Sequence, residues 1–457
     1  MNAGSYLTMG EAARELGLTK ARISQLGNTG DLDVRLVDGR KQVLESSVRA
    51  YAARKSSVGR PSRLATADVY TLMSAEYEVA RVAYDARFEY PFELLEVLDK
   101  SRMPLGVTVG SQRDRKRGFN AWWEHRSIPD TRPGLSAKLS QMSLSASYEL
   151  PVRSLGLSLS DCYWLRPDGH DDFSWDELNY FDNPFLGGDD KPATDSWLAR
   201  VGMSSPDNTS EGELPKRWVI REGKRVLIKG CGFDDQRPFN EVVATILFSR
   251  LLNEGDFVPY AVEAFDGSPV CTCANFLNGR EEYIPAAYVR ETEGRTRGSS
   301  VFDRFCKHAG RMCADEPLVR TYLSKMIVCD YILANSDRHW RNFGFIRNID
   351  TLEMRPAPLF DTGNCLWYST PLTALAIGDR GYASRPFEVD PVRQLGLVDN
   401  TSWFDPTALD GFVEDAIEIL AGSEHAAAGG RLDLLAHALE CQVDEAIFAV
   451  RVVSGRN

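Results

Sequence analysis

One stretch, Asp330 to Gly363, constrains this chain more than any other: DYILANSDRHWRNFGFIRNIDTLEMRPAPLFDTG. Up to that point, Tyr322 to Leu333 has the apolar periodicity of a helix. Asn335-Ser336-Asp337 breaks the pattern as a loop. Asn342–Ile346 and Pro358–Phe360 read as short apolar strands joined by a turn through Asn348–Glu353. The loop therefore lies between a buried helix and a hairpin. It presents Asp337, with Asn342 five residues on, and Asp361 follows the second strand. Three oxygen-bearing side chains converge at strand ends. Phosphoryl transfer uses such a set: one carboxylate orients the attacking hydroxyl and takes its proton, while an amide oxygen and a second carboxylate hold Mg²⁺ against the nucleotide phosphates. Asp-x4-Asn followed by Asp-x-Gly on a later strand has the spacing of a kinase catalytic loop and metal loop. A turn capped by Asp or Asn explains one such residue, but not Asp337, Asn342 and Asp361-Thr362-Gly363 together.

The same chemistry requires a lysine for the nucleotide phosphates. Residues 216–229 form a hairpin around Glu222-Gly223, and Lys229 ends its second strand. A lysine in that position is usually an edge charge. Here an amphipathic helix from Phe239 to Phe248 follows, with Glu241 near its start. A strand lysine paired with a helix glutamate is the arrangement that positions such a lysine. Upstream, residues 204–216 are polar and directly precede the hairpin, as a phosphate-covering loop should, although Gly212 is their single glycine.

At 457 residues the chain is long enough for two or three domains. Its hydrophobic (43%) and charged (26%) fractions are those of a soluble globular protein. No apolar run is long enough to span a membrane, and the N-terminus lacks the pattern of a signal peptide. Nine cysteines occur without a CxxC pair, which predicts free thiols in a reducing cytoplasm and no structural zinc. The net charge of −12 is uneven: residues 1–60 carry ten Lys/Arg against six Asp/Glu, so they are +4 and the rest is −16. A basic end on an acidic body points to a separate module that faces nucleic acid.

That end, residues 1–55, reads as helix, tight turn, helix, with Gly17-Leu18-Thr19 as the turn and Thr19 as the N-cap. The second helix exposes Lys20, Arg22, Ser24 and Gln25, which with Thr19 form the candidate DNA-binding set. Asp38-Gly39 marks a hairpin wing, and a short helix at SSVRAYAARK closes the domain. A helical interaction or dimerisation module is the plainer reading of the same pattern. Residues 56–65 read as a linker. Beyond it, a helical stretch is expected around Val69–Arg81, followed by alternating segments. The tandem Trp122-Trp123 reads as core or an interdomain seam rather than a base-stacking platform. Asp171, Asp172, Asp176 and Glu177 read as a solvated acidic face.

NSDRHWRNFG followed by APLFDTGN resembles the catalytic and metal-binding segments of HipA-like serine/threonine kinases, as do LIKG and the helix after it. The first 55 residues resemble the winged helix-turn-helix of excisionase and MerR-type regulators. The likeness implies an α+β, bilobal, protein-kinase-like fold: a β-rich N-lobe region over 66–275 and a helical C-lobe over 276–457, with late helices around Gly411–Leu420 and Leu432–Val452. By that likeness Asp337 is the catalytic base, Asn342 and Asp361 are the Mg²⁺ ligands, and Lys229, steadied by Glu241, is the ATP phosphate lysine. Asp330 and His339 support the loop. Cys271–Phe276 is the hinge, placing Cys273 and Phe276 beside adenine. Members of the family autophosphorylate on a phosphate-loop serine; here the candidates are Ser204, Ser205, Thr209 and Ser210. The family also implies a protein substrate, an antitoxin partner and a toxin–antitoxin or mobile-element setting. Asp-Arg-His-x-x-Asn is similar, too, to segments of phosphoinositide kinases and aminoglycoside phosphotransferases, which keeps a lipid or small-molecule kinase open. A DNA-binding regulator with an inactive, nucleotide-sensing kinase body is the remaining alternative.

Overall fold

The computed structural model describes the chain apart from residues 1–4, 17, 29–30, 38, 50, 52–66, 89, 108–111, 129–138, 141–143, 145, 186–205, 210–215, 231–234, 266, 295–298 and 455–457. It divides into two compact units, Met1–Asp68 and Val69–Asn457.

In the first unit, helices α1 (Met9–Leu16) and α2 (Lys20–Asn28) accompany strands β1 (Tyr6–Thr8), β2 (Val34–Val37) and β3 (Arg40–Leu44). A capping box starts α1: the Thr8 hydroxyl accepts from the Glu11 amide, and the Glu11 carboxylate accepts from the Thr8 amide. Thr19 caps α2 by accepting from the Arg22 amide at 3.2 Å. Ala12, Ala13, Ile23, Leu26, Leu32, Val43 and Val48 form the core. The predicted hairpin is present as β2–β3, with Gly39 at φ 73°. β1 adds to β3 as a third strand that the sequence pattern does not announce.

The second unit opens with a four-stranded antiparallel sheet in the order β6-β5-β4-β7. Its strands are β4 (Asp68–Ser74), β5 (Tyr77–Tyr84), β6 (Phe92–Val97) and β7 (Tyr163–Pro167), with helix α3 (Gln112–His125) packed against β6. This corrects the helix expected around Val69–Arg81. The chain turns at Ala75, which sits at φ 48°, and the residues on either side alternate across a sheet. Trp122 and Trp123 lie in the core with Phe92, Phe119 and Tyr163, as the core reading anticipated. Asp171, Asp172, Asp176 and Glu177 are exposed.

A second four-stranded sheet follows, in the order β10-β11-β9-β8. β8 (Lys216–Arg221) and β9 (Lys224–Lys229) form the predicted hairpin; its turn residues Glu222 (φ 50°) and Gly223 (φ 75°) are both left-handed, the requirement of a tight two-residue turn. β10 is Ala261–Phe265 and β11 is Ser268–Ala274. Helix α4 (Arg237–Leu251) crosses between β9 and β10. It begins four residues before Glu241, because Gln236 and Pro238 already set its first turn.

The rest is built on α5 (Val301–Met312), α6 (Glu316–Ile332), α7 (Phe412–Leu420) and α8 (Arg431–Ser454), around one apolar core that also takes in α4. α6 starts earlier than its periodicity suggests, because Asp315 caps it by accepting from the Leu318 amide. A three-stranded sheet pairs β12 (Glu281–Pro285), which precedes α5, with β13 (Gly344–Asn348) and β14 (Met354–Pro356), which follow α6. The second strand of the expected hairpin is thus Met354–Pro356. Pro358–Phe360 runs on outside the sheet, with Leu359 bridging to Phe257.

Candidate functional site

Lys229 ends the inner strand β9, between β8 and β11, and its side chain is nearly buried. An isolated ammonium there would carry a large desolvation cost. Two carboxylates offset it. Nζ donates to Glu241 Oε1 at 2.6 Å and also to Asp361. Burial opposes the charge on Lys229, but Asp361 and Glu241 outweigh it and hold the ammonium well above its ordinary pKa. Burial would likewise raise Asp361, yet Lys229, with Lys216 and Arg338, keeps its carboxyl well below the usual range.

Helix α4 fixes the segment that carries Asp361. The second oxygen of Glu241 accepts from the Thr362 amide at 2.8 Å, and Asn240 Nδ2 donates to the carbonyls of Gly363 (2.8 Å) and Cys365 (2.9 Å). Asp361 itself is left-handed, at φ 56°. Such a conformation costs on the order of 1–3 kcal/mol and persists where the surroundings over-determine it. The hydrogen bond that the Thr362 amide donates to Glu241 and the one that Arg338 donates to the Phe360 carbonyl (2.6 Å) do so here.

The loop after α6 is organised by a residue that sequence reading passed over. Arg338 has no exposed surface. Its guanidinium pairs bidentately with Asp330 at 2.9 and 3.0 Å. It also donates to the carbonyls of Asn342 and Phe360, both at 2.6 Å, and to Thr362 Oγ1 at 3.1 Å. One side chain thus ties the end of α6, the loop and the Asp361 segment together. Asp330, read from the sequence as a support of the loop, pairs with Arg338 and also accepts from Asn335 Nδ2 at 2.8 Å. The Asp-Arg-His motif carried the signal for Arg338, but the carbonyls it binds lie up to 22 residues away and leave no trace in a local pattern. His339 braces the turn: Nδ1 accepts from the Arg341 amide at 3.2 Å.

Asp337 is partly exposed. Its amide donates to Asn335 Oδ1, its Oδ2 accepts from Asn364 Nδ2 at 2.7 Å, and its Oδ1 lies 3.6 Å from Arg385 Nη1. Asn342 Nδ2 donates to the Asp337 carbonyl at 3.0 Å, which leaves its Oδ1 as the atom able to meet a ligand. Asp337, Asn342, Asp361 and Lys229 line one cavity of about 890 Å³. Leu227, Cys273, Phe276 and Phe360 give the same cavity an apolar wall. Cys273 belongs to β11, so the expected hinge is strand as far as Ala274, and only Asn275 and Phe276 lie beyond it.

Among the described residues no group of three His, Cys, Asp or Glu side chains is placed to hold a metal unaided. Magnesium does not require one, since it keeps waters, takes one or two protein oxygens and shares the rest with phosphates. The carboxylate of Asp361 and the amide oxygen of Asn342, facing one cavity, fit that demand.

Of the candidate phosphate-loop residues, Thr209 lines the cavity, buried in a short turn where its hydroxyl donates to the Pro206 carbonyl at 3.1 Å. Gly212, Ser204, Ser205 and Ser210 lie outside the described residues. In the first unit, Thr19, Lys20, Arg22 and Gln25 are exposed and Ser24 is half-buried, while Ile23 and Leu26 face the core. Arg22 donates to the Gln25 side chain at 2.9 Å.

Against known proteins, the chain aligns with a solved structure of the Shewanella oneidensis MR-1 toxin–antitoxin complex of HipA, HipB and operator DNA. That match covers 84% of this chain and 99% of the other, with a TM-score of 0.50 and 14% identity. The fold is HipA-like. The chain is also 43% identical over 102 residues to the serine/threonine-protein kinase CtkA of Helicobacter pylori J99, across 21% of this chain and 31% of that protein. The solved structure of the H. pylori proinflammatory kinase CtkA aligns at 15% identity and TM-score 0.39, over 53% of this chain and 95% of that one. No protein-family model matches. Within the HipA-like fold, the Lys229–Glu241–Asp361 cluster and the Asp337 loop meet at a single cavity.

Proposed function

We propose that this chain is an ATP- and magnesium-dependent serine/threonine kinase of HipA type, acting in the cytoplasm. The observation that carries the reading is the buried Lys229, held between Glu241 and Asp361, on the cavity that Asp337 and Asn342 also face. A strand lysine steadied by a helix glutamate is how kinases direct a cation at nucleotide phosphates. In this reading adenine lies against the apolar wall at Leu227, Cys273 and Phe276. Asp361 and Asn342 hold magnesium, which neutralises charge on the phosphates. Asp337 orients the acceptor hydroxyl and takes its proton. The local match to CtkA supports a protein acceptor, and the free thiols of all described cysteines agree with a reducing compartment.

Autophosphorylation belongs to the same proposal, with Thr209 the described candidate and Ser204, Ser205 and Ser210 its neighbours in sequence. Incubation with ATP and Mg²⁺ followed by mass spectrometry tests it. The reading predicts the added mass of a phosphoryl group on a peptide spanning residues 204–210. A chain that carries no phosphate after purification and gains none would refute it.

The first unit is proposed to bind DNA through α2, with Lys20, Arg22, Ser24 and Gln25 facing a major groove and Thr19 capping the helix. Its exposed basic face and buried Ile23 and Leu26 support this. The aligned Shewanella complex contains HipB and operator DNA, which supports an antitoxin partner as a further proposal.

A further inference from the structure

Arg385 stands apart from the other basic residues around the cavity. It lies in a segment downstream of Asp361, yet it lines the same cavity as Asp337. Its Nη1 lies 3.6 Å from Asp337 Oδ1, the one carboxylate within ion-pair distance of it among the described residues. Its side chain is 54% exposed, so the ion pair itself contributes little to stability.

The backbone around it is fixed with care for so exposed a side chain. The Arg385 carbonyl accepts from Gln394 Nε2, and Gln394 Oε1 accepts from the amides of Phe387 (3.0 Å) and Glu388 (3.2 Å). Ser384 adds two bonds, from its amide to the Val389 carbonyl (2.9 Å) and from its hydroxyl to the Glu388 carbonyl (2.8 Å). The Phe387 ring packs edge-on to Phe302 and Trp340, each at 5.1 Å. Gln394 and Ser384 are both buried. A hydrogen-bonded loop therefore places an exposed guanidinium beside Asp337.

We infer that Arg385 is a further catalytic residue, which binds the phosphoryl group during transfer and offsets its charge beside Asp337. The inference rests on the kinase reading above. In that step the acceptor oxygen forms a bond to the γ-phosphorus while the bond from phosphorus to the β-γ bridging oxygen breaks. The electron pair leaves with ADP, and the hydroxyl proton passes to the Asp337 carboxylate. Two anions, the carboxylate and the phosphoryl oxygens, must then lie side by side. Arg385 supplies a planar cation that meets both, as arginines do elsewhere in phosphoryl transfer. It forms and breaks no covalent bond.

The test uses the full chain with γ-labelled ATP and Mg²⁺ and follows the rate of self-labelling at saturating ATP. Wild type is compared with Arg385→Ala, Arg385→Lys and Asp337→Ala. Arg385→Ala should slow transfer about 10²–10³-fold, the loss expected for one charge-stabilising donor, with the half-saturating ATP concentration changed by less than about threefold. Arg385→Lys should recover part of the rate, and added guanidinium should partly rescue Arg385→Ala. An unchanged rate in Arg385→Ala overturns the inference, and so does a slow rate that neither lysine nor guanidinium restores, since that marks a structural loss. If wild type that carries no phosphate beforehand fails to label at all, or Asp337→Ala labels as fast as wild type, the kinase reading itself falls instead.

Discussion

Arg338 carries five hydrogen bonds to four residues, and its side chain has no exposed surface. Removing it leaves Asp330 buried without its partner, and such losses cost about 3–5 kcal/mol. Arg338→Met should therefore lower the unfolding free energy in urea by that amount, and Arg338→Lys should remain destabilised because an ammonium cannot reproduce the fork. Asp361 allows a test by pH. A carboxyl held below its ordinary range contributes stability that is fully present above its unfolded pKa, near 4, and is lost as pH falls below that value. The difference in unfolding free energy between wild type and Asp361→Asn should accordingly be largest near neutrality and narrow below about pH 4. A difference that holds constant down to pH 3 would contradict the assigned pairing with Lys229. Asp337, Asn342, Asp361 and Lys229 were legible in the sequence because their spacing along short elements reflects a common chemistry. Arg338 was passed over although Asp330 and Asn342 are near it in sequence, because its bonds to Phe360 and Thr362 leave no local pattern, and Arg385 because Asp337 lies far along the chain.

Among the elements, α4 matters most to the site. Its Asn240 and Glu241 hold the 361–365 segment, and the approach is tight: a Cβ at Gly363 would lie 3.2 Å from Glu241 Oε1 and 3.3 Å from the Arg237 carbonyl. Gly363→Ala must push α4 and the loop apart by a few tenths of an ångström. It should destabilise by roughly 1–3 kcal/mol, measured by urea unfolding, and lower phosphoryl transfer by more than that loss of folded protein explains. The hairpin β8–β9 was readable from Glu222-Gly223, since a two-residue turn advertises itself in composition. The β4–β5 hairpin was not. Its turn runs through Ala75, a residue with no preference for φ above zero, and Val69–Arg81 holds no Gly, Asn or Pro to mark a break, although the strands themselves carry three Val and three Tyr, which favour sheets.

At the scale of the whole molecule, each unit has its own core, and the leading sheet of the second unit is joined to the rest of that unit by a shared apolar core, in which Met73, Ala75 and Trp164 pack with Leu277, Ile346 and Ile349, and by ion pairs. Arg280 pairs with Glu76 and Asp350, and the buried Arg347 pairs with Glu282 and donates to Tyr163 OH at 2.9 Å. A chain of residues 69–457 should therefore fold and keep phosphoryl transfer within a fewfold of the full chain, while losing DNA binding. Conversely, Arg22→Ala with Gln25→Ala in the full chain should weaken DNA binding by about 1–3 kcal/mol for each side chain that reads a base edge, and leave labelling intact. A gel shift on sequences selected from a random pool measures it. Equal retention on DNA by the variant and the wild type would remove α2 from the proposal. The division into a basic N-terminal module and an acidic body was visible from charge alone, whereas the sheet that opens the second unit had no motif to announce it.

The most direct measurement is transfer of label from γ-labelled ATP in the presence of Mg²⁺, to the chain itself, by wild type, Asp337→Ala and Asp361→Ala side by side. The account predicts labelled wild type, no label on either variant, and loss of wild-type label when Mg²⁺ is chelated. Label on both variants at the wild-type rate, or a wild type free of prior phosphate that takes up none, would contradict it and leave a HipA-like fold without kinase chemistry.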